Sequence, residues 1–119
     1  MRHFVEEVRL KNGARGLLIN VPDATVMSFR FQFRAGSRYT KSHKIYETAH
    51  IMEHMAFGAN AKFASEHEFE ADFTKNGDYH NASTSDMNMV YIADCADFEW
   101  ERILDLQLLS IATPKFNET

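Results

Sequence analysis

Hydrophobic and polar residues alternate along "TVMSFRFQFRAG": Met27, Phe29, Phe31 and Phe33 fall on one side, Ser28, Arg30, Gln32 and Arg34 on the other. Successive strand residues face opposite ways, so this stretch predicts a half-buried strand. The same period returns in "MNMVYIADC", where Met87, Met89, Tyr91 and Ala93 oppose Asn88, Val90, Ile92 and Asp94. "DYHNASTS" reads as a short strand before it. Near the start, "HFVEEVRL" and "ARGLLINV" flank "KNG", Lys11 to Gly13. Asn-Gly is a tight-turn signature, so a hairpin is expected there.

The middle of the chain changes period. From about Lys44 to Phe57 there is no Gly or Pro, and Ile45, Ala49, Met52 and Ala56 recur at helical spacing. Gly58 is the expected stop. Ser65 followed by Glu68 forms a capping box for a second helix, which runs to Lys75 and ends at Asn76-Gly77. Asp97 is the expected N-cap of a last helix, "FEWERILDLQLLSIA", closed by Pro114. The order β-β-β-α-α-β-β-α predicts an α+β fold: a mixed, largely antiparallel sheet with helices packed on one face. No repeat, low-complexity tract or long linker interrupts it.

Composition narrows the picture. A chain of 119 residues fits one domain, and 45% hydrophobic residues suffice for a real core. A net charge of -4 argues against a nucleic-acid binder, and Arg30, Arg34 and Arg38 read as a solvated strand face. Cys95 is the only cysteine, so no internal disulfide forms and the compartment is left open. It reads as a small buried hydrophobe, tied to no histidine or acid by any recognisable pattern. No run of 18 apolar residues predicts a membrane span. "MRHFVEEVRLKNG" has no apolar signal core, although Met1 stands so close to the first strand that a leader upstream is left open.

The candidate chemistry lies in "ETAHIMEHMAFGAN", which reads His-x-x-Glu-His. On a helix, His50, Glu53 and His54 share one face. Two imidazoles on successive turns can meet one zinc ion, each at about 2.0–2.1 Å. Glu53 can then act as the base that takes a proton from a metal-activated water. The five residues alone leave a second reading open: surface histidines beside a solvated glutamate in a chain holding six histidines.

The flanks resemble a known family. "LKNG", "FRAGSRYT", "TAHIMEHMAFGAN" and "NGDYHNASTSDMNMVYIADC" are similar, in order, to blocks of the inverted-motif zinc metallopeptidases related to pitrilysin, insulin-degrading enzyme and the mitochondrial processing peptidase. The resemblance implies that His50 and His54 bind zinc and that Glu53 is the general base. It implies that "NAST", Asn81 to Thr84, is an edge strand that holds a peptide or protein substrate by strand addition, with Asn81 and Ala82 as contact positions. That role is preferred to the glycosylation sequon that Asn81-Ala82-Ser83 also spells. Three features depart from the family pattern: Glu47 stands where many relatives have glycine, "GANAKF" lacks the usual loop residues, and His80 is an additional candidate ligand. His3, His43 and His67 read as surface histidines.

A catalytic zinc site takes three protein ligands, and the family's third is a glutamate expected near position 130. Glu99 and Glu101 come too early for that role. "PKFNET" resembles the lead into the missing helix. The chain is therefore expected to be an N-terminal piece of a larger metallopeptidase. It would lack activity on its own, bind zinc weakly or not at all, pack against the parent's remaining domains and tend to self-associate. A catalytically silent scaffold subunit is the alternative; the intact motif argues for the enzyme.

Overall fold

The computed structural model describes residues 2–116. Part of "PKFNET" lies outside them.

Strands β1 (Phe4–Arg9) and β2 (Arg15–Asn20) pair as an antiparallel hairpin. Gly13 makes the reversal at φ 90, a left-handed conformation that favours glycine. Asn12 completes the turn by accepting the Ala14 N–H at 3.0 Å. The expected hairpin therefore forms, but it does not join the main sheet. It stands as a separate two-stranded sheet with Phe4, Val5, Leu17, Leu18 and Ile19 exposed.

The main sheet has three antiparallel strands in the order β3 (Val26–Phe33), β5 (Met89–Ala96), β4 (Tyr79–Thr84). Its register sets Phe29 opposite Ala93 and Phe31 opposite Tyr91 on one side of β5, with Ala82 opposite Tyr91 on the other. The predicted alternation holds within β5, where Met89, Tyr91 and Ala93 are buried together with Cys95, but Met87, expected on the same side, lies before the strand and is exposed. β5 is the central strand, which explains why its inward positions are the most completely covered.

The α-helices of the described residues, α1 (Thr48–Ala56), α2 (Glu66–Thr74) and α3 (Trp100–Ala112), pack on that inward face of β5. Phe69, Phe73, Ile103 and Leu106 from α2 and α3 cover Ala93 and Cys95. Ala49 and Ala56 from α1 cover Met89 and Tyr91. The fold is α+β as expected.

Helix boundaries differ from the periodic reading in two places. The segment from Lys44 is not one helix: His43–Ile45 is a 3₁₀ turn capped by Ser42, and α1 starts at Thr48. Asp97 does not cap the last helix. It opens a 3₁₀ turn at Asp97–Glu99 that follows Ala96, and its carboxylate accepts the adjacent Phe98 N–H instead. The cap on α2 is as predicted, with Ser65 accepting the Glu68 N–H at 3.2 Å. Glu68 returns a bond to the N–H of Ala64, one residue before the cap.

One polar cluster ties helices to a strand, and a separate, fully buried residue shapes a loop. Arg102 on α3 bonds Asp78 at 2.5 Å, Glu99 at 2.5 Å and the Asp72 carbonyl at 2.6 Å. It thereby ties the end of α2, the start of β4 and α3 together. Asn60 is fully buried and accepts from the N–H groups of Lys62 and Phe63, which shapes "GANAKF". Among the described residues, no helix is long and apolar enough to cross a membrane.

Candidate active site

α1 delivers all three motif residues to one side of the molecule. His50 and His54 are exposed and Glu53 is buried, 7% accessible. The difference follows from the helix face. Glu53 points at the sheet, and the two histidines sit at the rim where α1 meets solvent.

The Nε2 atoms of His50 and His54 lie 3.0 Å apart. Two nitrogens bound to one tetrahedral zinc at about 2.0–2.1 Å would be roughly 3.3 Å apart. The pair thus converges as two ligands of one ion would, and imidazole suits zinc chemically. Among the described residues no third His, Cys, Asp or Glu completes a metal-binding group. Glu99 is turned away from the site, with its carboxylate on Arg102 and on Asn76 at 2.8 Å.

The carboxylate of Glu53 accepts a hydrogen bond from the Thr84 hydroxyl on β4. Thr84 follows the parity of His80 and Ala82, the β4 residues that face inward. Tyr91 lies across the strand pair and donates to the Met89 sulfur at 2.9 Å. Burial, and then the nearby Glu53 carboxylate, push its phenol up to about 12. Sequence reasoning missed Thr84 and Tyr91 as neighbours of Glu53. Strand parity alone could have brought Thr84 to the helix-facing side, but it could not choose the helix.

β4 is an edge strand. It pairs only with β5 among the described residues. The Ala82 N–H is bonded to the side-chain oxygen of Asn81 at 2.8 Å, and the Asn81 amide donates to the Tyr79 hydroxyl at 3.1 Å. Asn81 and Ala82 therefore sit together on a strand beside α1. A cleft of about 380 Å³ separates this strand from the helix, with Glu47, His50, Glu53, Ala82, Thr84 and Asp86 on its walls.

Ser37, from "RAGSR", also lines the cleft. Gly36 approaches the turn after β4 so closely that a Cβ there would lie 2.3 Å from the Ser85 carbonyl oxygen. Ser37 donates to the Asp86 carboxylate at 2.8 Å, and the Arg38 N–H donates to the Asp86 carbonyl at 2.9 Å.

A sequence profile of the insulinase family, peptidase family M16, matches residues 15–119. The chain belongs to peptidase family M16. A solved protease from Helicobacter pylori shares the fold of this M16 chain with a TM-score of 0.88 at 23% identity. The likeness covers 98% of this chain and 28% of that one. No curated protein matches the chain.

Two other expectations meet the geometry here. His80 is not placed with His50 and His54. Its Nε2 lies 2.5 Å from Glu70, and its ring packs among Phe57, Phe69 and Phe73. The inward parity of β4 carries it into the aromatic layer rather than to the helix rim. Cys95 is buried in the core, and burial followed by the Asp78 and Glu99 carboxylates pushes its thiol up. His3, His43 and His67 are exposed.

Proposed function

We propose that this M16 chain carries the metal-binding helix and the substrate strand of a zinc-dependent metalloendopeptidase. The observation that carries the reading is the convergence of the two Nε2 atoms, 3.0 Å apart, on the helix whose Glu53 is hydrogen-bonded to Thr84 of edge strand β4 beside a cleft.

His50 and His54 would hold the zinc. When bound, zinc supplies a Lewis acid for a peptide carbonyl and lowers the pKa of a water. The chain's own residues do the rest. Glu53 is the general base for that water. Thr84 orients Glu53 by donating to its carboxylate. Asn81 and Ala82 receive an extended substrate peptide by main-chain pairing, which adds a strand to the sheet edge. Until then the Asn81 side chain occupies the Ala82 N–H, so the edge is not left unsatisfied.

Three protein ligands are usual for catalytic zinc; this reading assigns two, His50 and His54, and no third joins them among the described residues. We therefore infer that the chain works as the N-terminal part of a larger proteolytic unit that supplies a downstream glutamate, and that it is inactive alone. The exposed apolar hairpin supports packing against that remainder, or self-association in its absence.

The test compares this chain with a longer polypeptide that includes the downstream glutamate. Zinc uptake is measured by calorimetry and turnover with a quenched fluorescent peptide. The reading expects tight binding of one zinc and turnover only in the longer form, with turnover abolished by Glu53→Gln. A longer form that binds zinc but cleaves nothing would favour the silent scaffold subunit. A longer form that binds no zinc would sink the metal site.

A further inference from the structure

We infer that Glu47 is a positioning residue, one that sets the tautomer of His50 so that its Nε2 lone pair is presented toward His54. The inference rests on the zinc reading for its purpose, though not for its geometry.

Glu47 Oε2 lies 2.7 Å from His50 Nδ1. A carboxylate is an acceptor, so the neutral imidazole places its proton on Nδ1 to make this bond. Nε2 is then left with a free lone pair. His54 Nε2 is 3.0 Å from that atom and becomes the donor between the two rings. The two histidines are therefore unequal before any metal arrives. His50 already has the tautomer a ligand needs, whereas His54 must move its proton to Nδ1 before its own Nε2 can bind.

The place of Glu47 in the chain makes it available. It occupies the N-cap position of α1, where a side chain ordinarily accepts a hydrogen bond from the helix's first N–H groups. Glu47 makes no such bond. Its carboxylate reaches three residues forward to His50 instead. It also does not compete as a ligand: the two nitrogens of an imidazole point away from each other, so a carboxylate on Nδ1 lies off the position Nε2 serves. A carboxylate–histidine pair of this kind fixes ring orientation and raises ligand basicity. The side chains of His50 and Glu47 are about half exposed, 52% and 48%, which places the effect at the lower end of the usual range.

The test reads the proton directly. Long-range ¹H–¹⁵N spectra of the histidine rings are recorded on the metal-free chain, and the tautomer is read from the neutral ring. In the native chain His50 should show the Nδ1–H form. Glu47→Ala should return it to the Nε2–H form that free imidazole prefers, and Glu47→Gln, whose amide oxygen still accepts, should largely restore Nδ1–H. Zinc titration of the longer polypeptide carrying the same substitutions should show about a 10-fold weaker affinity for the Ala variant. His50 in the Nε2–H form in the native chain, or no change of tautomer in Glu47→Ala, overturns the inference. If the native chain and the longer polypeptide take up no zinc, the peptidase reading fails, and the tautomer spectra still decide the role of Glu47.

Discussion

Replacing Gly36 with alanine should be among the most costly single-methyl changes in this chain. Gly36 has φ 174, which is extended backbone that any residue adopts, so the cost is steric and not conformational. A Cβ at this position would lie 2.3 Å from the Ser85 oxygen, 2.5 Å from the Asp86 oxygen and 2.6 Å from the Asp86 carbonyl carbon. Ordinary contact begins near 3.4 Å, so the shortfall is roughly 1 Å, and all three obstacles are backbone atoms. No side-chain rotation relieves it; the turn after β4 has to move. Overpacking of this kind costs about 1–3 kcal/mol, and three simultaneous backbone clashes argue for the upper half of that range. At this chain length that is a fall of roughly 10 °C in the unfolding midpoint. The Ser37 and Arg38 bonds to Asp86 should weaken with it, and Thr84, two residues before Asp86, should shift relative to Glu53. Urea unfolding measures the energy, and backbone amide shifts at Ser85 and Asp86 report the displacement. Gly13→Ala is the control. Gly13 has φ 90 and nothing within 4 Å of its Cβ position, so its loss of about 1 kcal/mol is conformational and local. If Gly36→Ala unfolds at the native urea midpoint, or costs less than Gly13→Ala, the close approach of "RAGSR" to the turn is wrong.

Thr84→Val should destabilise by about 1–3 kcal/mol, because it leaves the buried Glu53 carboxylate without its hydroxyl donor while preserving side-chain shape. Thr84→Ser should recover most of that loss in the same denaturation assay, and equal losses for the two would refute the bond. Arg102→Met should cost about 3–5 kcal/mol by urea denaturation, since it strands the Asp78 carboxylate, whose side chain is 1% exposed. A near-neutral effect there would show that the triple contact is not formed. The thiol of Cys95 has its pKa raised in the fold, so the unfolded chain ionises first as pH rises. Stability from this group is whole below about pH 8.5 and declines above it, and Cys95→Ala should flatten that alkaline slope. Near-ultraviolet absorbance should place one tyrosine, Tyr91, at about 12, and its absence in Tyr91→Phe checks the assignment.

Much of the site was legible because its parts are local. The spacing of His50, Glu53 and His54 determined that they share a helix face, since the helical repeat admits no other arrangement. The alternation in "TVMSFRFQFRAG" and "MNMVYIADC" determined two strands and the buried side of β5, whereas in β3 only Phe29 and Phe31 are half-buried and Met27 and Phe33 are exposed. The Ser65 cap and the turn at Gly13 were equally readable, because hydrogen bonds between near neighbours specify them. Even the contact between Glu47 and His50 is one helical turn long. What tertiary structure alone decided is pairing across distance. Nothing local says that β5 becomes the central strand between β3 and β4, or that the first hairpin stands apart from both. Nothing local sends His80 to Glu70 and the phenylalanines, or brings Thr84 to Glu53 across 31 residues of chain. Period and capping act within a turn or a strand. The choice of partner strand and facing helix is made by burying many side chains at once, so no single stretch of sequence contains it.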